Sequence, residues 1–525
     1  MRSTFHNLEI GKRGVIAQQT AISTTGQNIT NANTEGYSRQ VARLTASLPI
    51  EYPGMNRSMN PNQLGTGVEV ESIRRIRDFL TDIEYRNQNS SMKTWEAKQE
   101  TLGNIEGIIN EPSENSIAKT VSEFWTSWQE LSKNPSSTDL SSRTVVQQKA
   151  IALTETFNHI ASQLNTLSTS LTARVDSQIS EANNYIDQIA ELTQSIKRIE
   201  AFGDNANDLR DKRDLLVDQL SGLGNVQVSE ANDIYSLTFG GVQVVNDMQS
   251  ADFTIANAGG LTQGSILGNI QARDVHVAEY TNQLNIMANT LATGKIEVTL
   301  PKGSILPPGV TIPNAVMDAT NPRMLAQDTK YEVNGLNGLH KLGYTLSDPA
   351  TAGQDFFVTS DGSATITAAN IRVNSAIVND ASNIAASMRT EIKTNADGTT
   401  SEKVLQGNGD LALLIAGLAE GKFSFNPTGV ANGAITNTAT FGGYLQSVVA
   451  QLGTDAAHAN NMVENGTLLV NHADNLRKAV SSVSLDEEMA DLIKFQQAYS
   501  ASARVITTVD EMLDKLINGT GVVGR

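Results

Sequence analysis

The sequence predicts an α+β multidomain protein: N- and C-terminal helices pairing as a coiled coil, an elongated helical bundle, and inserted, mostly β outer domains. Three observations predict it. Apolar residues recur every seventh position at both ends of the chain; helical spacing fills the first half; and short apolar runs separated by Gly-rich turns occupy much of the second half before helical spacing returns.

The ends come first. Leu8, Val15, Ile22 and Ile29 step by seven, with Phe5, Ala17 and Ala21 partly filling the same face. Leu485, Leu492, Tyr499, Ile506 and Leu513 do the same, and Met489, Phe495, Val509 and Leu516 supply alternate positions. Sevenfold spacing makes a narrow apolar seam, suited to helix-on-helix packing. Charge complements it. Residues 1–45 hold five basic and two acidic side chains, net +3; residues 481–525 hold four basic and seven acidic, net -3.

Between the ends, Ile117, Val121, Phe124, Trp128 and Leu131 mark a helix closed by Asn134-Pro135, with Trp128 in the core and Trp125 half-exposed. A longer helix follows from Phe157 through Leu164, Leu171 and Ile179 to Ile199. In Asn207–Ser221, Asn207 is expected to cap a helix, Asp208 to reach Lys212, Arg210 to reach Asp214, and Leu209, Leu216 and Leu220 to face inward. Near residue 225 the period changes. Val226 and Val228, then Ile234–Phe239, Gly240-Gly241 and Val242–Val245, predict strands with a glycine hairpin. Val275–Leu291 is helical again. Five of the twelve prolines fall in 296–330, which predicts a loop-rich surface insertion with few packed contacts. Tyr331 to about residue 432 reads as mostly β, and helix resumes near Tyr444. The division is therefore 1–75, an N-terminal assembly helix and extended segment; 76–224, a helical bundle; 225–295, a β hairpin region plus helix; 296–440, a mostly β outer domain with the proline-rich insertion; and 441–525, a returning bundle helix and C-terminal assembly helix.

Composition narrows function. A formal net charge of -17 disfavours nucleic acid and anionic membrane as partners. The absence of cysteine excludes disulfides, thiolate metal sites and thiol nucleophiles. Met1–Thr20 has no apolar run of signal-peptide length, and no stretch approaches a transmembrane span. No catalytic constellation emerges. None of the six histidines (6, 159, 276, 340, 458, 472) opens a His-Glu-x-x-His site. Calcium-loop counting from Asp361-Gly362 and Asp397-Gly398 puts Phe357 and Lys393 at the first ligand position, so both pairs read as hairpin turns. No catalytic residue, metal, cofactor or small-molecule substrate is expected, and the protein is read as no enzyme.

Two motifs carry a resemblance. Gly26–Gln40, "GQNITNANTEGYSRQ", resembles the N-terminal signature of flagellar rod, hook and hook-associated proteins at Asn28, Asn31, Asn33, Thr34, Gly36 and Tyr37. Ser484–Ile517 is similar to the C-terminal helix of the hook-associated members nearly throughout. Ser38-Arg39-Gln40, Gly67–Leu80, Asn207–Ser221 and Leu336–Leu346 also resemble those members. Thr30 departs from the alanine usual there, and 296–330 aligns to nothing familiar. The resemblance implies a structural subunit joining hook to filament. It implies export through the flagellum's own type III channel without a cleaved signal peptide, and an extracellular place at the junction. The implied partners are further copies in a ring-like assembly, hook protein, hook-associated protein 3 and an export chaperone on Leu492, Phe495, Tyr499 and Ile506. Physically, Asn31–Gly36 suits ending a helix and redirecting the chain. A hook or distal-rod subunit is the nearer alternative; a secreted adhesin or hydrolase is the farther one.

Overall fold

The computed structural model describes residues 5–49, 65–109, 116–136, 138–394, 399–425 and 438–519. The chain folds as two compact units. One comprises Met1–Trp95, Asp176–Gly268 and Met462–Arg525, the other Glu96–Val175 and Asn269–Asn461. These boundaries differ from a division at 75, 224, 295 and 440. Three long helices, α2 (Phe79–Ile109), α4 (Ser141–Glu200) and α11 (Phe441–Ser481), contribute residues to both units.

In the first unit, α1 (His6–Asn31) packs along α12 (Leu485–Gly519). After α1 the chain forms an antiparallel pair, β1 (Gln40–Ala46) with β2 (Val68–Arg75). Helix α5 (Asn207–Leu223) leads into a four-stranded antiparallel sheet in order β3 (Val226–Ala231), β4 (Ile234–Phe239), β5 (Val242–Asn246) and β6 (Gln249–Ser250). The expected hairpin is there. Gly240 and Gly241 have φ of 57° and 79°, a left-handed pair that glycine adopts at no steric cost. Phe239 meets Phe253 edge-on, with ring centroids 4.7 Å apart. Helix α6 (Ser265–Gln271) follows.

In the second unit, α3 (Ile117–Lys133) starts at Ser116, whose side chain accepts from the Lys119 N–H, and stops at Asn134 as expected. Trp128 is fully buried, but Trp125 is buried too, beside Leu413 and Ala416 of α10 (Asp410–Gly417). Periodicity along one helix could not report a partner from another. Phe124, Trp128, Phe356 and Phe357 form an aromatic cluster with His340 at its edge. The His340 ring is closed by Gln354 O at 2.6 Å and the Ala385 N–H at 2.9 Å, and burial pushes its pKa down to about 4. It is a neutral core histidine.

A turn of π-helix, Ala272–Val277, precedes α7 (Ala278–Thr293). The proline-rich stretch corrects an expectation. Its start is a regular strand, β7 (Lys295–Leu300), paired with β8 (Thr329–Asn334). Ile305, Leu306 and Ile312 are buried, and Ile305 bridges Met324. Packed side chains hold this loop, so its deletion is expected to destabilise the second unit. Beyond it come α8 (Gly335–His340), β9 (Phe357–Thr359), β10 (Ile371–Val373), α9 (Ser375–Asn379), β11 (Thr390–Thr394), β12 (Thr400–Val404), β13 (Phe423–Ser424) and β14 (Thr438–Ala439). The strands pair two by two, interleaved with short helices and irregular chain, rather than forming a continuous sheet. Asp361-Gly362 turns between β9 and β10; Asp397-Gly398 lies outside the described residues. Among the described residues no helix is long and apolar enough to cross a membrane.

Candidate functional site: the seat of the two chain ends

The site is built where the end of α1, the start of α12 and the charged face of α5 meet. Helix α1 stops after Asn31. Asn31 Nδ2 donates back to Gln27 O at 3.0 Å, and Gly36 takes φ 78° to turn the chain. The turn delivers Tyr37, Ser38, Arg39 and Gln40 against α5 and α12.

Asn28 is the hub and is 1% exposed. Its Nδ2 donates to Gln40 O at 2.8 Å and Glu488 Oε2 at 2.9 Å. Its Oδ1 accepts from Tyr37 OH at 2.9 Å and the Gln40 N–H at 3.0 Å. Both polar atoms of the amide are thereby doubly satisfied. Burial, with Asp208, Asp211 and Glu488 nearby, raises the Tyr37 pKa and keeps its phenol a donor. Arg39 clasps the start of α12, with Nε 2.6 Å from Glu488 Oε1 and Nη1 2.9 Å from Glu487 Oε2. The Arg39 N–H donates to Ser481 O. Here the opposite charges of the two ends meet; Lys12 and Arg13 lie beside Glu9 of their own helix.

Helix α5 departs from its expected pairings. Ala206, not Asn207, is the N-cap, and Asn207 Nδ2 instead donates to Gln40 Oε1 and Ile73 O. Asp208 accepts from Gln40 Nε2 at 2.7 Å, and Arg210 binds Glu200 and Glu230. Leu209 and Leu216 are only half-buried. The inward face is charged: Asp211, Asp214 and Asp218 are buried at helical spacing. Asp211 takes the Ser38 N–H and Arg75, Asp214 takes Arg75 at 2.6 Å, and Asp218 takes Arg86 at 2.6 Å and Arg477 at 2.5 Å. The cations come from β2, α2 and α11, far away in sequence, where helical i,i+4 counting cannot find them.

Burial alone would raise the Asp214 pKa, but the Arg77, Arg75 and Arg86 guanidiniums overcome it and hold the carboxyl down to about 2. A depressed folded pKa stabilises above the unfolded value, 3.8, and that stability is lost as pH falls towards 2. The gap corresponds to about 2 kcal/mol. The urea midpoint of the wild type is therefore expected to fall more between pH 5 and pH 2.5 than that of Asp214→Asn, which starts lower at neutral pH. Parallel declines would refute the assignment.

Along the helix pair, the residues of α1 that are buried are small: Gly11, Gly14, Ala17, Ala21, Thr24, Thr25 and Asn28. A Cβ on Gly14 would stand 2.7 Å from Ser502 Oγ, and one on Gly11 2.8 Å from Ile506 Cγ1. Gly11 meets Ile506, Gly14 meets Ser502 and Asn28 meets Glu488, so the helices are antiparallel. Leu8, Val15, Ile22 and Ile29 flank this seam, half-buried. In α12, Leu492, Phe495, Ile506 and Leu513 are half-buried and Val509 is buried, whereas Leu485, Met489, Tyr499 and Leu516 are exposed. Asn33 and Thr34 are exposed in the turn. The sevenfold pattern thus located the helices, and Ala17 and Ala21 as part of the apolar face, but not the closest contact, because hydrophobic spacing gives no weight to Gly11 and Gly14.

Known proteins match this architecture part by part. Residues 8–37 match the family model "Flagella basal body rod protein", and 479–519 match "Flagellar basal body rod FlgEFG protein C-terminal". Residues 102–262 match "Flagellar hook-associated protein FlgK helical domain". The Bacillus subtilis flagellar hook-associated protein 1 is 32% identical over 542 residues, covering 100% of both chains. The Escherichia coli protein of that name is 23% identical, covering 96% of this chain and 98% of its own. The flagellar hook junction protein FlgK from Burkholderia pseudomallei has a similar fold, with TM-score 0.50 and 15% identity, over 77% of this chain and 100% of that one.

A chain whose terminal helices carry the rod-protein patterns and lock together onto its own body is a structural subunit of the bacterial flagellum, not an enzyme. It belongs to the flagellar hook-associated protein 1 family.

Proposed function

We propose that the α1/α12 pair is the assembly element through which this subunit joins hook to filament. One observation carries the reading. Of the described residues of α12, only Glu488 and Val509 are buried, while Met489, Ile493, Met512 and Leu516 are each more than half exposed. Pairing with α1 uses one face of α12 and leaves apolar side chains on its other sides to neighbours. The proposed neighbours are further copies in a ring-like assembly, where these side chains extend the pair into coiled packing with Leu8, Val15, Ile22 and Ile29 at its flanks. Hook protein on one side and hook-associated protein 3 on the other complete the partners. Residues 1–75, 76–224 and 441–525 are proposed as the inner parts, with 225–295 and 296–440 looped out as outer domains. Asn33 and Thr34 are proposed to touch an adjacent copy, a reading supported by their exposure at the turn.

Export unfolded through the flagellar channel, without a cleaved signal, fits the same reading. A chaperone on Leu492, Phe495, Tyr499 and Ile506 would then compete with α1 for three of those side chains, since only Tyr499 is exposed.

The double variant Ile493→Ser, Met512→Ser is expected to leave monomer stability within about 0.5 kcal/mol, because both side chains already face solvent. It should nonetheless prevent filament attachment and swarming. Labelling on isolated flagella should place the wild-type protein at the hook tip. Normal filaments on the variant would sink the proposed role of these side chains.

A further inference from the structure

We infer that His340 makes the second unit acid-sensitive: in mild acid this unit opens reversibly while the first unit stays closed. Of the six histidines, His340 alone is buried, with 0% exposure. It ties three segments together. His340 ends α8, its Nε2 accepts the Ala385 N–H at 2.9 Å, and its Nδ1 meets Gln354 O at 2.6 Å. An imidazole that accepts at Nε2 carries its proton on Nδ1, so its neighbours fix the tautomer. The peptide group between Ile384 and Ala385 is gripped from its other side too. Arg143 of α4, 1% exposed, donates from Nε to Ile384 O at 3.2 Å and from Nη1 to Ser136 O at 2.6 Å.

The protonated ring does not fit this seat. A proton on Nε2 would remove the acceptor and set donor against donor, leaving the buried Ala385 N–H without its partner. The Nδ1 side is closed as well, since a Cβ on Gly353 would stand 2.9 Å from that nitrogen. The charged groups around the ring are already engaged. Asp355 pairs with Lys341 Nζ at 2.6 Å, and Asp410 of α10 takes the Met388 N–H at 2.8 Å and Arg389 Nε at 3.2 Å. The side of α4 presents a cation, Arg143, and that of α3 the Trp128 ring. A second positive charge here would be buried with no carboxylate free to meet it.

Burial accordingly outweighs Gln354 and Asp355 and holds the ring down to about 4, against an ordinary value of 6.5. The unfolded chain takes up a proton that the folded unit refuses. Stability is therefore lost as pH falls from 6.5 towards 4. His276, half-buried in the π-helical turn of the same unit, is also pushed down by burial. The first unit behaves differently. Its buried Asp214 is held down to about 2, so that charge is lost only in stronger acid. The two units thus have different acid limits.

The test is hydrogen exchange on the full-length protein, stepped from pH 7 to pH 4.5 and corrected for intrinsic amide exchange. Peptides covering 336–345 and 384–389 should lose protection roughly 50-fold, the ratio that 6.5 unfolded and about 4 folded imply. They should regain it on return to pH 7. Peptides covering 28–40 and 211–221 should change far less. His340→Gln keeps an oxygen acceptor for the Ala385 N–H but cannot titrate. It should be less protected at pH 7 and lose much less over the same steps. Should that variant fail to fold, carbon-13 NMR of labelled histidine rings decides on the wild type alone: at least one imidazole should stay neutral below pH 5 while the protein is folded. All six rings titrating near 6.5, equal losses in wild type and variant, or first-unit peptides opening at the same pH would overturn the inference.

Discussion

Asn28→Asp is expected to release the terminal helices from the body of the first unit at neutral pH. The wild-type Nδ2 donates to Glu488 Oε2 at 2.9 Å in a site that is 1% exposed. The substitution keeps the shape and the oxygen that serves Tyr37 and Gln40, but it turns the donor into a second carboxylate oxygen facing the first. Removing one partner of a buried charged contact typically costs about 3–5 kcal/mol, and like charge adds repulsion. Arg39 already serves Glu488 and Glu487 and has little left to offer. Amide exchange across α1 and the first turns of α12 should quicken by orders of magnitude, with α3 and α7 unaffected. Lowering the pH towards 5 should partly restore protection, as the two carboxylates share a proton. Unchanged exchange at pH 7 would show that Asn28 is not the hub.

Gly11→Leu should separate α1 from α12 while making α1 a better helix by itself. Leucine gains nearly 1 kcal/mol of helix propensity over glycine. Its Cβ, however, would stand 2.8 Å from Ile506 Cγ1, with Ser502 O at 3.4 Å and the Ile506 N at 3.5 Å immediately behind. Ile506 can turn aside from one carbon, but the α12 backbone cannot yield to the rest of the side chain. Overpacking of this kind costs about 1–3 kcal/mol. The opposite signs make the test discriminating: helicity by circular dichroism should persist, while a disulfide engineered between positions 14 and 502 should no longer form. Filament attachment should fail as well. An intact crosslink in the leucine variant would mean the two helices are not in close approach.

Much of the fold was legible in the sequence. Ile117 to Leu131 with Asn134-Pro135 gave a helix and its end, and Gly240-Gly241 gave the hairpin. The turn after Asn31 followed from asparagine and glycine chemistry. What was missed shares one cause: the signal lay in residues that pattern reading discounts. Gly11 and Gly14 are nearly silent on a hydrophobicity scale, yet they permit the closest helix approach. Asp214 was assigned to Arg210 on its own helix, and Asp211 and Asp218 were passed over, because their arginines lie far off in sequence. Three aspartates at helical spacing, set against Arg75, Arg77 and Arg86, were the signal that could have revealed them. Trp125 failed likewise, since α10 covers it from a distant segment.

The small-residue seam has a mechanical consequence. Interlocking side chains fix the register of a helix pair along its whole length, but glycine, alanine and threonine offer few teeth. Sliding α12 by one turn, about 5.4 Å, would present Ser502 to Gly11 or Ala17 instead of Gly14, at modest steric penalty. Register is therefore set at one end, where Asn28 and Arg39 grip Glu488. The pair behaves as a smooth rail with a single latch. Under axial strain that latch is the contact expected to give first.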